Sequence, residues 1–75
     1  MKCKATWEEL KKAYLNNLYI VEYGKVYQPM YSPNAGLYAM QVYKTSYHKG
    51  LVKRGTYKLM NGKEANKAIG FELLR

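Results

Sequence analysis

Cationic side chains alternate with tyrosines in the second half of the chain, and this pattern has the most chemical content. Two stretches carry it, at residues 43–49 and 53–58. Lysine and arginine neutralise phosphates, and a tyrosine ring stacks on a nucleobase for about 1–3 kcal/mol. The pattern predicts a surface that binds nucleic acid without chemistry, through these residues: Lys44, Tyr47, His48, Lys49, Lys53, Arg54 and Lys58.

Each residue type has its own role in this prediction. We expect the lysines to neutralise phosphates, Arg54 to fork to a phosphate or a base edge, and Tyr47 to stack on a base from a polar loop. Some of the tyrosines must instead build the core, because Trp7 and Phe71 are the only other aromatic residues. We expect Tyr57, which shares a predicted strand face with leucines, to be one of these.

The charge of the chain is strongly positive and unevenly distributed. Thirteen lysines and arginines against five glutamates give 75 residues a formal charge of +8. No acidic residue lies between Tyr23 and Lys63, so the positive excess is concentrated there. Polyanions are the natural partner of such a stretch, because each neutralised phosphate releases condensed counterions. The alternative is a basic surface that repels other copies and has no ligand.

The residues needed for catalysis or for a metal site are scarce. Cys3 is the only cysteine and His48 the only histidine, so we expect no disulfide, no structural zinc and no cofactor. None of the glutamates stands at a motif spacing from His48, and the segment around Gly50 and Gly55 lacks the Lys-Ser/Thr of a phosphate-binding loop. We predict that the protein is not an enzyme. A lone thiol without a signal peptide or a spanning segment favours a cytoplasmic location.

A second function class fits the same surface. Tyrosine and arginine are enriched at protein interfaces, so the alternative is a small protein-interaction module that docks on an acidic partner protein. Accessory and phage-encoded inhibitors are often chains of this kind, an association rather than a physical inference. A homodimer through a sheet edge is a third expectation.

The elements that must position these residues begin with a helix. A chain of this length holds one domain, spanning residues 1–75. Thr6 followed by Glu9 matches a capping box and predicts a helix over about residues 6–16. The spacing of Trp7, Leu10 and Tyr14 predicts the apolar stripe that packs on the core.

Strand-forming residues dominate from residue 18 onward. Residues 18–23 and 26–31 predict a hairpin around Gly24. A two-residue Gly24-Lys25 loop splits the four tyrosines of the hairpin between two faces, whereas a three-residue loop with a bulge gathers them on one face. Pro29 predicts that the second strand is at a sheet edge or bulged.

The rest of the chain completes a sheet. After a turn at 32–36, the patterns predict strands at 37–44 and 51–60, joined by a polar loop at 45–50. A tight Asn61-Gly62 turn and a helical turn at 63–67 follow. The last predicted element is a strand over Ile69, Phe71 and Leu73. Together they predict an α+β fold, with one N-terminal helix packed on a four- to five-stranded antiparallel sheet. A small β-barrel with an appended helix is the second choice.

Overall fold

The computed structural model describes residues 3–45 and 50–70. Its elements are, in chain order, α1 (Trp7–Leu15), β1 (Tyr19–Glu22), β2 (Lys25–Ser32), β3 (Gly36–Lys44), β4 (Tyr57–Met60) and α2 (Gly62–Ile69). The strands form one antiparallel sheet in the order β3-β2-β1-β4. The predicted α+β fold with an N-terminal helix on an antiparallel sheet is confirmed. The sheet is open, so the barrel alternative is wrong.

Two apolar clusters join the helices to the two faces of the sheet. Alternation along β1 sends Ile20 to one face and Val21 to the other. On the α1 face, Ile20 packs with Leu10, Ala13 and Tyr27. On the α2 face, the buried cluster consists of Val21, Val26, Val52, Met60, Ala65, Ala68 and Ile69. The described chain therefore has three layers, with the sheet in the middle. None of its helices is long and apolar enough to span a membrane.

Helix α1 begins at the predicted cap but buries a different stripe. The Thr6 hydroxyl oxygen accepts a hydrogen bond of 3.2 Å from a backbone N–H of the first turn. Leu10 and Ala13 are buried, whereas Trp7 and Tyr14 are 62% and 44% exposed. The prediction was therefore wrong at both aromatic residues. The small Ala13 side chain, which is fully buried, allows close packing on the sheet and leaves the larger rings at the flank of the helix.

The β1–β2 hairpin closes through Tyr23 and Gly24, one residue earlier than the predicted Gly24-Lys25 loop. Gly24 has φ +78° and occupies the second loop position rather than the first. The loop has two residues, so the tyrosines are divided between the faces, as that alternative predicts. Tyr27 lies in the cluster under α1, and Tyr19 packs against the cluster under α2.

Strand β2 is an inner strand of the sheet, so the edge predicted from Pro29 is present only locally, where β1 has ended. Its pairing with β1 reaches only as far as Tyr27, so at Pro29 its partner is Ala39 of β3 alone. Proline is tolerated there because its missing N–H faces the side that β1 does not reach. The irregularity lies on β3 instead, where Val42 is skipped between the partners of Val26 and Tyr27.

The segment before α2 is less extended than predicted. Strand β4 has four residues, and residues 50–56 form bends and turns, so the predicted strand over 51–60 is wrong in its first half. Tyr57 and Leu59 do share a face, since both pack against the cluster under α1. Val52 is 1% exposed and belongs to the cluster on the other face.

Asn61 begins a helix rather than a tight turn. Its side chain accepts from the Glu64 N–H at 2.8 Å, and the Glu64 carboxylate accepts from the Asn61 N–H at 3.4 Å. This capping box extends the predicted helical turn to Ile69. The predicted last strand is therefore wrong at Ile69, while Phe71 and Leu73 lie outside the described residues.

Candidate nucleic-acid interface

Three segments meet at one end of the sheet. The Thr45 N–H donates to the Gly24 carbonyl oxygen at 2.8 Å, which joins the end of β3 to the β1–β2 turn. The Arg54 guanidinium lies 4.6 Å from the centroid of the Tyr23 ring, which joins the loop over 50–56 to the same turn. This region is termed the basic end and is defined by Tyr23, Lys25, Lys44, Lys53 and Arg54.

The loop that carries Arg54 is fixed from both sides. Val52 is buried in the core and anchors its first half. Lys53 then begins a turn, since its carbonyl accepts from the Thr56 N–H at 3.0 Å and from the Thr56 hydroxyl at 2.7 Å. Gly55 has φ +86° at the third position, where type II turns require a positive φ. This geometry holds Arg54 at the exposed tip of the turn.

Gly24 allows β3 to close on the hairpin turn. A Cβ at this position would stand 2.8 Å from the Thr45 carbonyl oxygen, closer than real Cβ contacts. Its φ of +78° also lies in the region that residues with side chains rarely adopt. A glycine is therefore required for the turn to sit against the residue that follows Lys44.

Like charges face each other across the sheet at the basic end. Lys25 and Lys44 are direct partners in the register of β2 and β3. Like charges in such a pair destabilise a sheet, by about 0.2–1 kcal/mol. Glu22, the partner of Lys25 in β1, is 6% exposed, and its Oε2 accepts from the Lys4 N–H at 2.7 Å. Its carboxylate thus contributes little to the outer surface of this end.

The structure brings together three of the predicted site residues and places a fourth on the strand that follows their loop. Lys44, Lys53 and Arg54 belong to the basic end, and all three are exposed. Lys58 pairs with Val21, so it lies on the α2 face of the opposite edge strand. It is about 14 Å from β3, at three strand spacings, but it follows the loop of Lys53 and Arg54 by only four residues. The other predicted residues, Tyr47, His48 and Lys49, lie outside the described residues.

Sequence reasoning missed two residues of this end, Tyr23 and Lys25. Tyr23 is 38% exposed and is the ring against which Arg54 stacks. Its position directly before Gly24 was the available signal, because a glycine with positive φ can also take the second position of a two-residue turn, which puts Tyr23 in the turn. The predicted loop began one residue too late, at Gly24, and therefore placed Tyr23 in a strand instead of in the turn.

A groove lies at the opposite end of the sheet. It is an open groove of about 570 Å³ between the end of α1 and the middle of β2, with Tyr14, Tyr19 and Met30 in its lining. No charged residue lines it in the described chain, so it offers phosphates no counter-charge. The described residues also contain no group of three His, Cys, Asp or Glu side chains able to hold a metal ion.

The fold and this site define a small α+β domain with one helix on each face of an open antiparallel sheet and a cationic sheet end. Comparisons with protein-family models, with curated proteins and with solved structures found no match to the chain. The residues of the basic end are therefore the features of the chain that indicate a function.

Proposed function

We propose that the protein binds nucleic acid through the basic end, in the cytoplasm and without catalysing a reaction. The observation that carries the proposal is the Lys25–Lys44 pair, which opposes like charges at a cost to stability. Lys53 and Arg54 add two cations from a loop joined to the same turn. Phosphates bound among these four residues would relieve the repulsion and release counterions.

The residues have distinct roles in this proposal. Lys25 and Lys44 neutralise neighbouring phosphates as flexible point charges, whereas the planar guanidinium of Arg54 donates to two phosphate oxygens at once. Stacking on Tyr23 holds Arg54 in one orientation before a ligand arrives, which reduces the entropy lost on binding. Tyr47 remains the residue predicted to stack on a base.

Fluorescence anisotropy with labelled single-stranded and duplex DNA and RNA tests this function. Four phosphate contacts predict slopes of log K against log salt of about −2.8 for single strands and about −3.6 for duplex. Between about 50 and 200 mM salt, the affinity should then fall about 50-fold and about 150-fold respectively. We expect measurable binding near 200 mM with a preference for one of the four ligands.

Binding that disappears by about 200 mM salt without any preference would contradict the proposal. The positive charge would then be a non-specific surface, and the acidic partner protein expected from the sequence would be the next hypothesis. Size-exclusion chromatography of a complex recovered after nuclease treatment would test it, because only a protein partner survives the nuclease at a fixed stoichiometry.

A further inference from the structure

The two edges of the sheet differ in length and charge. Strand β3 runs for nine residues, and no strand in the described chain pairs with its outer side. From Gly36 to Tyr43 it has no charged residue. Strand β4, at the other edge, has only four residues and carries Lys58. Short length and lysine are the usual protection of an edge against pairing, so β4 is protected and β3 is not.

The direction of the free backbone groups of β3 follows from Pro29. Residues of an antiparallel pair alternate between exchanging two hydrogen bonds and exchanging none. Pro29 has no N–H, so its pair with Ala39 belongs to the second kind. The N–H and C=O of Ala39 therefore point away from β2, and by alternation those of Leu37 and Gln41 do so as well.

These three residues form a regular stretch of edge. The irregular position on β3 is Val42, and every residue from Gly36 to Gln41 has a direct partner on β2. The outward backbone groups are therefore evenly spaced and centred on Ala39. A second strand in the antiparallel direction would meet all of them in register.

The α2 face of this edge is incompletely covered. Helix α2 packs chiefly on β1 and β4, at the other side of the sheet. Met40 is consequently 42% exposed, and its neighbour on this face, Tyr38, is half-buried. Both side chains are apolar enough to gain from burial, and a tyrosine ring packs well against a methionine thioether.

We propose that β3 pairs with β3 of a second copy of this chain, antiparallel and about a two-fold axis at Ala39. Leu37 of one subunit then exchanges hydrogen bonds with Gln41 of the other, and the two Ala39 residues exchange theirs. On the α2 face, Tyr38 lies directly opposite the partner's Met40, in the type of pair whose side chains approach most closely. The result is a continuous eight-stranded sheet.

The positive charge of the chain is compatible with this arrangement. The two-fold axis puts Lys44 of each subunit at opposite ends of the paired strands, about 30 Å apart at the rise of an extended strand. That separation exceeds the Debye length of about 10 Å at 0.1 M salt, so the two basic ends repel each other weakly. Pairing through so short a stretch forms a small interface, and we expect a concentration-dependent dimer rather than a permanent one.

A charge-reversal experiment tests the pairing and its register. One variant carries Tyr38→Lys and Met40→Lys, and the other carries Tyr38→Glu and Met40→Glu. In a dimer of either variant, residues 38 and 40 of the two subunits face each other with the same charge, at two places across the axis. The dimer dissociation constant measured by sedimentation velocity should therefore rise about tenfold or more. Mixed in equal amounts, the two variants oppose unlike charges, and a heterodimer should return.

A matched control separates pairing from a general effect of charge. Leu15→Lys with Leu51→Lys makes the same charge change as the lysine variant at exposed apolar residues outside β3, at 67% and 45% exposure. We expect this control to dimerise like the wild type. All variants should keep their far-ultraviolet circular dichroism and, at concentrations where the wild type is monomeric, a melting temperature close to that of the wild type.

Three results would overturn the proposal. The first is a wild-type chain that remains monomeric up to about 1 mM. The second is a mixture of the Lys and Glu variants that shows no heterodimer while each variant is folded. The third is a large loss of melting temperature in both variants at concentrations where the wild type is monomeric, because that would mean that another part of the same chain covers the edge.

Discussion

Removal of three cations from the basic end gives the sharpest test of the proposed function. The variant replaces Lys44, Lys53 and Arg54 with glutamine and lowers the formal charge from +8 to +5. If each residue contacts one phosphate, the salt slope flattens by about 2.1 for single strands and about 2.7 for duplex. At about 0.1 M salt the affinity for single strands should fall about 100-fold.

A second triple variant controls for net charge. Lys12, Lys63 and Lys67 are exposed residues of the two helices, and their replacement with glutamine also leaves +5. These residues act on the ligand only through the screened field of the whole protein, so we expect the slope to change by less than about 1. Anisotropy titrations of both variants over about 50–300 mM salt, beside the wild type, make the comparison.

The stability of the first variant adds an independent readout. Loss of the Lys44 charge opposite Lys25 raises the free energy of unfolding, whereas loss of the Arg54 contact with Tyr23 lowers it, so we expect a net change below about 1 kcal/mol. A loss of affinity of about 100-fold with so small a change in stability is expected if these residues contact the ligand, and is not expected if they only support the fold. Equal losses of affinity and slope in both triple variants would refute the reasoning, because binding would then follow net charge and not the basic end.

Three further outcomes follow from the structure. Gly24→Ala should lower the free energy of unfolding by about 2–3 kcal/mol in urea titrations, because it combines a positive φ with a backbone clash. Asn61→Ala should lower it by about 1 kcal/mol and Asn61→Asp should restore most of it, because aspartate also caps a helix. Burial, followed by the charges of Glu22 and Cys3, raises the pKa of Tyr27 above 10.0. The Tyr27 hydroxyl therefore loses its proton at a lower pH in the unfolded chain than in the folded one. The free energy of unfolding should keep its full value below about pH 10 and fall as the pH rises toward the folded pKa. The fall should be smaller in Tyr27→Phe.

Local signals in the sequence predicted the elements well where one residue decides the structure. Thr6 caps α1 as expected, because a hydroxyl before an amphipathic run satisfies a free N–H of the helix. The turn before β3 has the same origin, since the Ser32 hydroxyl accepts from the N–H groups of Asn34 and Ala35 and Gly36 has φ +74°. In both places the interaction spans at most four residues.

Predictions failed where the same residues are compatible with two local structures, or where contacts between distant parts of the chain determine the structure. Asn-Gly favours a tight turn, but asparagine also caps helices, and the Glu64 three residues later was the sign that distinguishes them. Pro29 correctly indicates that one side of β2 has no paired strand at that residue. Which side this is depends on the order of the strands and on the end of the β1 pairing at Tyr27. The concentration of cations in the basic end was predictable at Lys44, Lys53 and Arg54, whereas the position of Lys58 on the edge strand opposite β3 depends on the pairing of β4 with β1.

The proposed dimer and the proposed interface together predict a dependence on ligand length. Two basic ends about 30 Å apart correspond to about 9 base pairs of duplex, so a duplex of about 8 base pairs reaches one end and one of about 24 reaches both. Occupation of the first end raises the effective ligand concentration at the second into the millimolar range, which should tighten binding of the longer duplex about 100-fold.

The Tyr38→Lys, Met40→Lys variant tests this coupling, because its additional positive charge opposes the expected effect. The comparison is made under conditions in which the wild type is dimeric. In the variant, the ratio of affinities for the long and short duplexes should fall to the value that follows only from the larger number of binding positions on the longer duplex. Leu15→Lys alone, at the end of the sheet opposite the basic end, is the control for this measurement and should keep the wild-type ratio. An unchanged ratio in the β3 variant would show that the two ends do not act on one ligand, even if each of them binds nucleic acid and the edges pair.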